Sequence, residues 1–298
     1  MPDNGAKRRG RDMALALVTG TSSGIGLATA VALARAGHTV AATMRNLDGG
    51  AEIRKIAAAE KLPIHLAALD VDNDASVRDG FARIAAERGP IDVLVNNAGI
   101  PGGGVVEDTT LDRYRQVMET NFFGALRCIK AVVPGMRERR RGTIVNVSSV
   151  AGRIALPSHS SYAASKWALE AVSEALAQEL RPFNVRVAIV EPGVIATPIT
   201  SKTPPPAGES LYPFRKRLTS IFVAARANPV PPSVVADTIC DIVARDSARL
   251  RYPSGPDAAV WLKARAGKSD EQVVQEGAET EGEFAARIKR ELGIDVKL

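Results

Sequence analysis

The chain has 298 residues, 45% hydrophobic and 24% charged, which is ordinary globular composition and ample for one large core. Only 4% are aromatic, so there are few platforms on which nucleic-acid bases could stack. The formal charge of +6 gathers largely in Lys7, Arg8, Arg9 and Arg11 and in Arg137 to Arg141. With no nucleic-acid motif beside them, these runs read as a solvated tail and a helix end whose cations complement the dipole, rather than as a nucleic-acid or membrane surface.

Residues 1–12 read as a disordered basic tail. Arg8-Arg9 ahead of the apolar run Ala14–Val18 imitates a twin-arginine export signal, but the run is too short and Thr19-Gly20-Thr21-Ser22-Ser23-Gly24 breaks it at once. A buried strand entering a glycine-rich turn fits better. No other segment approaches the roughly 18 apolar residues of a membrane span. Cys128 and Cys240 have no paired spacing and read as reduced core thiols, so a cytoplasmic location is expected. The three histidines are scattered, and no metal site is expected.

A regular alternation follows the tail. Aliphatic runs at Ala14–Val18, Thr39–Thr43, Ile64–Leu69, Ile91–Val95, Thr143–Val147 and Val185–Val190 predict strands buried on both faces. Helical stretches lie between them, including Ile25–Ala36, Ala75–Arg88, Leu111–Arg139 and Tyr162–Leu180. This order predicts an α/β fold: one open parallel sheet with helices on both faces.

Two helices carry polar residues where packing is expected. On Leu111–Arg139 the apolar stripe runs Tyr114, Met118, Ala125, Ile129, Val132 and Met136, and Asn121 falls on it. A polar side chain there needs partners. On Tyr162–Leu180 the inward stripe is Lys166, Leu169, Val172, Leu176 and Leu180. Tyr162 stands at its head, one turn before Lys166, so both point the same way. Ala163, Ala164, Ala168, Ala171 and Ala175 leave the helix slim enough for close contact with another helix or subunit.

After Pro198 the regularity fails. Within the proline-rich segment 199–232, Phe214, Leu218, Ile221, Phe222 and Ala225 recur at helical spacing and predict a short amphipathic helix. Ser233–Arg245 predicts another helix and Arg251–Pro253 a last short strand. The charged tail has a weak stripe at Phe284, Ile288 and Leu292, which either caps the fold, joins a partner chain or stays mobile. The expected division is a tail at 1–12, one domain at 13–260 with a lid at 199–232, and an extension at 261–298.

The first strand ends in Thr19-Gly20-Thr21-Ser22-Ser23-Gly24-Ile25-Gly26 and a helix follows. Glycines there permit a tight turn and let a pyrophosphate approach the amides of a helix N-terminus. Gly20, Asp70, Asn97, Ser149 and Pro192 each fall at or just after the carboxyl end of a predicted strand, the edge where open parallel sheets bind ligands.

The whole pattern resembles the classical short-chain dehydrogenase/reductase family over about residues 13–200. The resemblance rests on the turn at 19–26, Asp70-Val71, Asn96-Asn97-Ala98-Gly99, Asn121, Ser149, Tyr162-Ala163-Ala164-Ser165-Lys166, and Pro192-Gly193 followed by Thr197. Ser149 precedes Tyr162 by 13 residues, the family's spacing. Short strings at Thr43–Leu47 and Arg251–Ala258 look like the retinol and 17β-hydroxysteroid branch.

The resemblance implies a Rossmann-type doubly wound sheet in a single domain, binding a nicotinamide dinucleotide. It implies that Tyr162 gives or takes the proton while Lys166 favours the tyrosinate, Ser149 binds the substrate oxygen, and Asn121 holds a water leading from Lys166 to solvent. Ser148 is expected to face the other side of the strand end. Cofactor contacts are implied for Gly20, Ser22, Ser23, Gly24, Ile25, Gly26, Asp70, Val71, Asn97, Ala98, Gly99, Tyr162, Lys166, Pro192, Gly193, Ile195 and Thr197, with Asn97 mainly bracing the central strand. The end of the second strand, Ala42-Thr43-Met44-Arg45-Asn46, lacks the acid typical of NAD-specific members, so NADP(H) is expected, with Arg45 on the 2′-phosphate; a solvated loop arginine is the alternative.

The expected reaction interconverts a ketone or aldehyde and an alcohol on an apolar small molecule. The lid residues Leu211, Tyr212, Phe214, Leu218, Ile221 and Phe222, beside Arg215, Lys216 and Arg217, either line that pocket or merely pack on the core. His159 reads as a loop residue near its border. A homodimer or homotetramer is expected. A cofactor-sensing protein of the same fold without turnover is the rival reading, against which the intact set Asn121, Ser149, Tyr162 and Lys166 argues.

Overall fold

In the computed structural model the described residues are 13–201, 211–212, 215–225 and 227–298. The expected tail at 1–12, most of the lid segment 202–214 and Phe214 within it lie outside them. The elements run β1 Leu15–Thr19, α1 Gly24–Arg35, β2 Thr39–Met44, α2 Ala51–Glu60, β3 Ile64–Ala68, α3 Asp74–Arg88, β4 Ile91–Asn96, α4 Leu111–Met118, α5 Gly124–Glu138, β5 Gly142–Val147, α6 Ser160–Leu180 and β6 Val185–Pro192. They continue with α7 Pro198–Ser201, α8 Arg215–Ala225, α9 Ser233–Ala244, β7 Arg251–Ser254, α10 Ala258–Ala266, α11 Asp270–Gln275 and α12 Glu281–Leu292.

The seven strands form one parallel sheet in the order β3-β2-β1-β4-β5-β6-β7. The order reverses direction between β1 and β4, which opens a crevice at the carboxyl ends of the strands. Strand β1 shows why the sequence is apolar on every residue. Ala16 and Val18 pack into the layer containing Ala30 and Leu33 of α1 and Ile239 of α9, whereas Leu15 and Leu17 pack into the layer of Phe81 from α3, Ile129 from α5 and Leu176 from α6. Alternate side chains of one strand thus feed two cores.

The predicted helix Leu111–Arg139 is interrupted. One wide π-turn, Glu119–Phe123, separates α4 from α5. The extra residue shifts the helical phase, so Val117 rather than Met118 is fully buried in α4, while Ala125, Ile129, Val132 and Met136 keep their inward positions in α5. The arginines after α5 are tied to neighbouring loops: Arg139 donates to the Ile91 carbonyl at 3.0 Å and Arg140 to the Pro182 carbonyl at 2.8 Å.

The C-terminal extension caps the fold. Phe284 and Ile288 of α12 and Trp261 of α10 form a third apolar cluster with Ile154 and with Ile221 of α8. No helix of the described residues is long and apolar enough to cross a membrane.

Candidate active site

The glycine turn after β1 is shaped for close backbone approach. Gly20 and Gly24 have φ of +71° and +58°, a region side chains resist. A Cβ on Gly26 would stand 2.3 Å from the Gly20 carbonyl oxygen and 2.4 Å from Asn97 Nδ2. Asn97 braces the turn, donating from Nδ2 to the carbonyls of Thr19 at 2.9 Å and Gly20 at 3.2 Å, while its own amide donates to Thr19 Oγ1 at 3.0 Å. Helix α1 then starts with no side-chain cap and no acid in its first turn. Its free amides and positive dipole end suit an anion such as a pyrophosphate.

Ser149 follows β5 and opens a 3-10 turn, Val150–Gly152, accepting from the Ala151 amide at 3.1 Å. Tyr162 lies in the first turn of α6 and hydrogen-bonds Ser149. Lys166, one turn on, donates from Nζ to the Val147 carbonyl at 2.9 Å and lies 5.6 Å from the Tyr162 ring centroid. Burial dominates both titrations. It pushes the Tyr162 phenol up to about 12, against the Ser149 hydrogen bond, and Lys166 down to about 8, against the charge of Glu170. With its titration pushed up in this way, Tyr162 carries its proton at neutral pH.

Asn121 sits in the π-turn with its side chain engaged by protein. Its Oδ1 accepts from the Ile100 amide at 2.8 Å, and Nδ2 donates to the Ile100 carbonyl at 3.1 Å and to Ser165 Oγ at 3.0 Å. These partners account for a polar side chain on an apolar stripe. Ser165 donates to the Tyr162 carbonyl at 2.7 Å, so Asn121 steadies the turn that carries Tyr162.

Ser149, Tyr162 and Lys166 border a cavity of about 390 Å³ at the carboxyl edge of the sheet. Of the expected set, Gly20, Ser22, Ser23, Gly24, Ile25, Arg45, Val71, Asn97, Ala98, Gly99, Ser149, Tyr162, Lys166, Pro192, Gly193, Ile195 and Thr197 line it. Gly26, Asp70 and Asn121 do not. Gly26 is buried beneath the turn, and Asp70 turns its carboxylate onto the Asp72 amide at 3.1 Å. Asp72 lines the cavity instead, beside Thr120, whose hydroxyl donates to it at 2.9 Å. Ser148 is also among the cavity-wall residues, but its hydroxyl is buried beneath Gly152 beside Glu170, on a different side from the Ser149 hydroxyl.

Leu218 and Phe222 of α8 border the cavity, whereas Ile221, one helical face away, packs on the C-terminal extension. His159 also reaches the cavity wall. Sequence reasoning passed over Asp257. It follows β7, far from the other motifs, yet its Oδ2 accepts from the Val194 amide at 2.7 Å and holds the loop after β6. In the sequence it lay within the branch-like string Arg251–Ala258, in a turn-like Ser254-Gly255-Pro256-Asp257 before a helix, with nothing to mark it as a partner of the loop after β6.

A family model described as short chain dehydrogenase matches residues 14–207. A 3-ketodihydrosphingosine reductase of Bacteroides thetaiotaomicron is 38% identical over 244 residues, covering 80% of this chain and 87% of that protein. Human retinol dehydrogenase 8 is 46% identical over 191 residues, covering 62% of this chain and 60% of that one. Among solved structures, a short-chain dehydrogenase of Streptomyces avermitilis superposes with a TM-score of 0.77 at 33% identity, covering 90% of this chain and all of that one. An actinorhodin polyketide ketoreductase with NADPH gives 0.71 at 30% identity, covering 82% and 96%. A Burkholderia phymatum enzyme in complex with NAD gives 0.75 at 25% identity, covering 88% and 95%. The fold, the strand-edge crevice and these likenesses agree: the chain belongs to the short-chain dehydrogenase/reductase family, with its retinol dehydrogenase-like branch among its relatives, and is a nicotinamide-dependent oxidoreductase of alcohol and keto groups.

Proposed function

We propose that the enzyme prefers NADPH and reduces an apolar ketone or aldehyde to the alcohol, with the reverse oxidation accessible. The observation that carries the reading is the placement of Ser149 and Tyr162 together on the cavity wall, with Lys166 one helical turn behind Tyr162. Ser149 and Tyr162 together hydrogen-bond the carbonyl oxygen, and the Tyr162 phenol passes its proton to that oxygen as charge develops there. Lys166, at about 8, is largely cationic at neutrality and offsets the negative charge left on the phenol. The bound nicotinamide supplies the hydride in reduction and takes it up in oxidation.

The residues present fit that dinucleotide. The turn Gly20–Gly26 and the α1 amides suit the pyrophosphate, Tyr162 and Lys166 the nicotinamide ribose, and Gly193, Ile195 and Thr197 the nicotinamide end. Arg45 is exposed on the cavity wall just after β2, with no acid in the adjoining Met44–Leu47 stretch, which supports a 2′-phosphate over a bare 2′-hydroxyl. Leu218, Phe222 and Ile199 support an apolar substrate, and relatives named 3-ketodihydrosphingosine reductase and retinol dehydrogenase 8 support a keto or alcohol group on it. Ala164, Ala171 and Ala175 are exposed on α6 beside Trp167, which supports a homodimer or homotetramer in a cytoplasmic protein.

The test is a panel of ketones and alcohols with both cofactors. Tyr162→Phe should lower turnover about a hundredfold or more. Arg45→Ala should raise KM for NADPH far more than for NADH. Near wild-type turnover in the first variant, or equal effects in the second, contradicts the corresponding part of the proposal.

A further inference from the structure

His159 is fixed by its backbone. Its amide donates to the Leu156 carbonyl at 3.2 Å, its carbonyl accepts from the Ala163 amide at 2.9 Å, and it pairs with Gly104 in a parallel bridge. The imidazole lies flat on the Tyr162 ring, with centroids 4.8 Å apart and planes 15° from parallel. Phe222 approaches it edge-on at 6.1 Å and 76°. His159 therefore lines the cavity beside the proton donor, between that donor and the helix α8.

Among the described residues no ring nitrogen of His159 has a hydrogen-bond partner or a charged neighbour. Burial alone acts on its titration and lowers it to about 4, so the ring is neutral at ordinary pH. A neutral imidazole carries one donor and one acceptor. Against Phe222, Leu218 and the Tyr162 ring, a purely hydrocarbon substrate would cover both and leave them unpaired. A carboxylate is poorly matched, because the ring brings no charge. A hydroxyl or a second carbonyl is matched. With their rings stacked at 4.8 Å between centroids on one cavity wall, Tyr162 and His159 can engage two oxygens held close together on one small substrate.

We propose that His159 is a specificity-determining residue that hydrogen-bonds a second, neutral oxygen of the substrate, so that the preferred substrates are apolar carbonyl compounds bearing a hydroxyl or carbonyl one to three carbons from the reacting carbon. This rests on the carbonyl reductase reading above.

The probes are 2-decanone, 4-hydroxy-2-decanone and 2,4-decanedione, compared by kcat/KM and by calorimetric Kd on the NADPH-loaded enzyme. His159→Phe keeps the stacked ring and removes the nitrogens; His159→Gln keeps a donor and an acceptor without the ring. The wild type should favour the oxygenated probes about tenfold, the worth of one hydrogen bond. Whatever His159→Phe costs on 2-decanone, it should cost about tenfold more on the two oxygenated probes, bringing the three to within about twofold of one another, and His159→Gln should recover part of the preference. Equal losses on all three probes in His159→Phe overturn the proposal, because His159 would then only buttress Tyr162. A wild type that binds the probes with equal affinity overturns it as well. Absence of turnover with any probe, alongside selective binding, instead strikes the reductase reading and leaves the recognition by His159 standing.

Discussion

Gly193 and Asp257 form a contact whose energetics can be isolated. A Cβ on Gly193 would stand 2.2 Å from Asp257 Oδ1 and 2.4 Å from its Cγ and Oδ2, so Gly193→Ala forces the carboxylate to move. That movement gives up the 2.7 Å hydrogen bond from the Val194 amide, and the loop after β6 loses its anchor. Overpacking costs about 1–3 kcal/mol, and a hydrogen bond to a charged group contributes about 1.5–3 kcal/mol. Gly193→Ala should therefore destabilise by roughly 3–6 kcal/mol, or lower Tm by roughly 6–20 °C. Asp257→Ala loses only the hydrogen bond. In the double variant the new methyl group occupies the space the carboxylate vacated, so it should be no less stable than Asp257→Ala alone. Thermal unfolding of the four proteins measures the coupling, and the NADPH dissociation constant reports the loop, because Gly193, Val194 and Ile195 line the cavity. Additive losses in the double variant would refute the reasoning.

Three further expectations follow from the packing and the titrations. Phe284→Ala empties the cluster that holds the outer face of α8, at about 3–5 kcal/mol. Arg217 of α8 also donates to the Glu276 and Glu279 carbonyls. KM for an apolar ketone should rise while NADPH affinity holds, and an unchanged KM counts against this coupling. His159 has a folded-state value of about 4 against an ordinary 6.5, so the unfolded chain binds more protons between those limits. Stability should thus rise by about 3 kcal/mol from pH 4 to 6.5. His159→Phe should flatten that part of the profile in urea titrations, and an unaltered slope would place its origin elsewhere. Alcohol oxidation needs the deprotonated phenol of Tyr162, so its single-turnover rate should climb with pH above neutrality, whereas carbonyl reduction, which uses the protonated phenol, should not. The reverse ordering would remove Tyr162 from its assigned role.

The alternation of aliphatic runs and helical stretches was enough to read the sheet, because strands buried on both faces must be apolar throughout. Leu15, Ala16, Leu17 and Val18 serve two cores at once and leave no room for another pattern. The glycine turn, Ser149 and the Tyr162–Lys166 pair were legible for a related reason: each is local, with its spacing set by one turn or one helix. The interruption at Glu119–Phe123 was not legible, since the loop at Ile100 that engages Asn121 comes from another part of the chain. Asp257, Asp72 and His159 were hidden or undervalued on the same ground. Only the packed structure brings the end of β7 under Gly193, turns Asp72 rather than Asp70 toward the cavity, and lays His159 on Tyr162. The sequence by itself determined the sheet, the glycine turn and the Tyr162–Lys166 pair, through short-range periodicity and backbone chemistry. The tertiary structure decided the burial that raises the Tyr162 titration and lowers that of Lys166, and the walls of the cavity, because burial and contacts between distant segments exist only once the chain has packed.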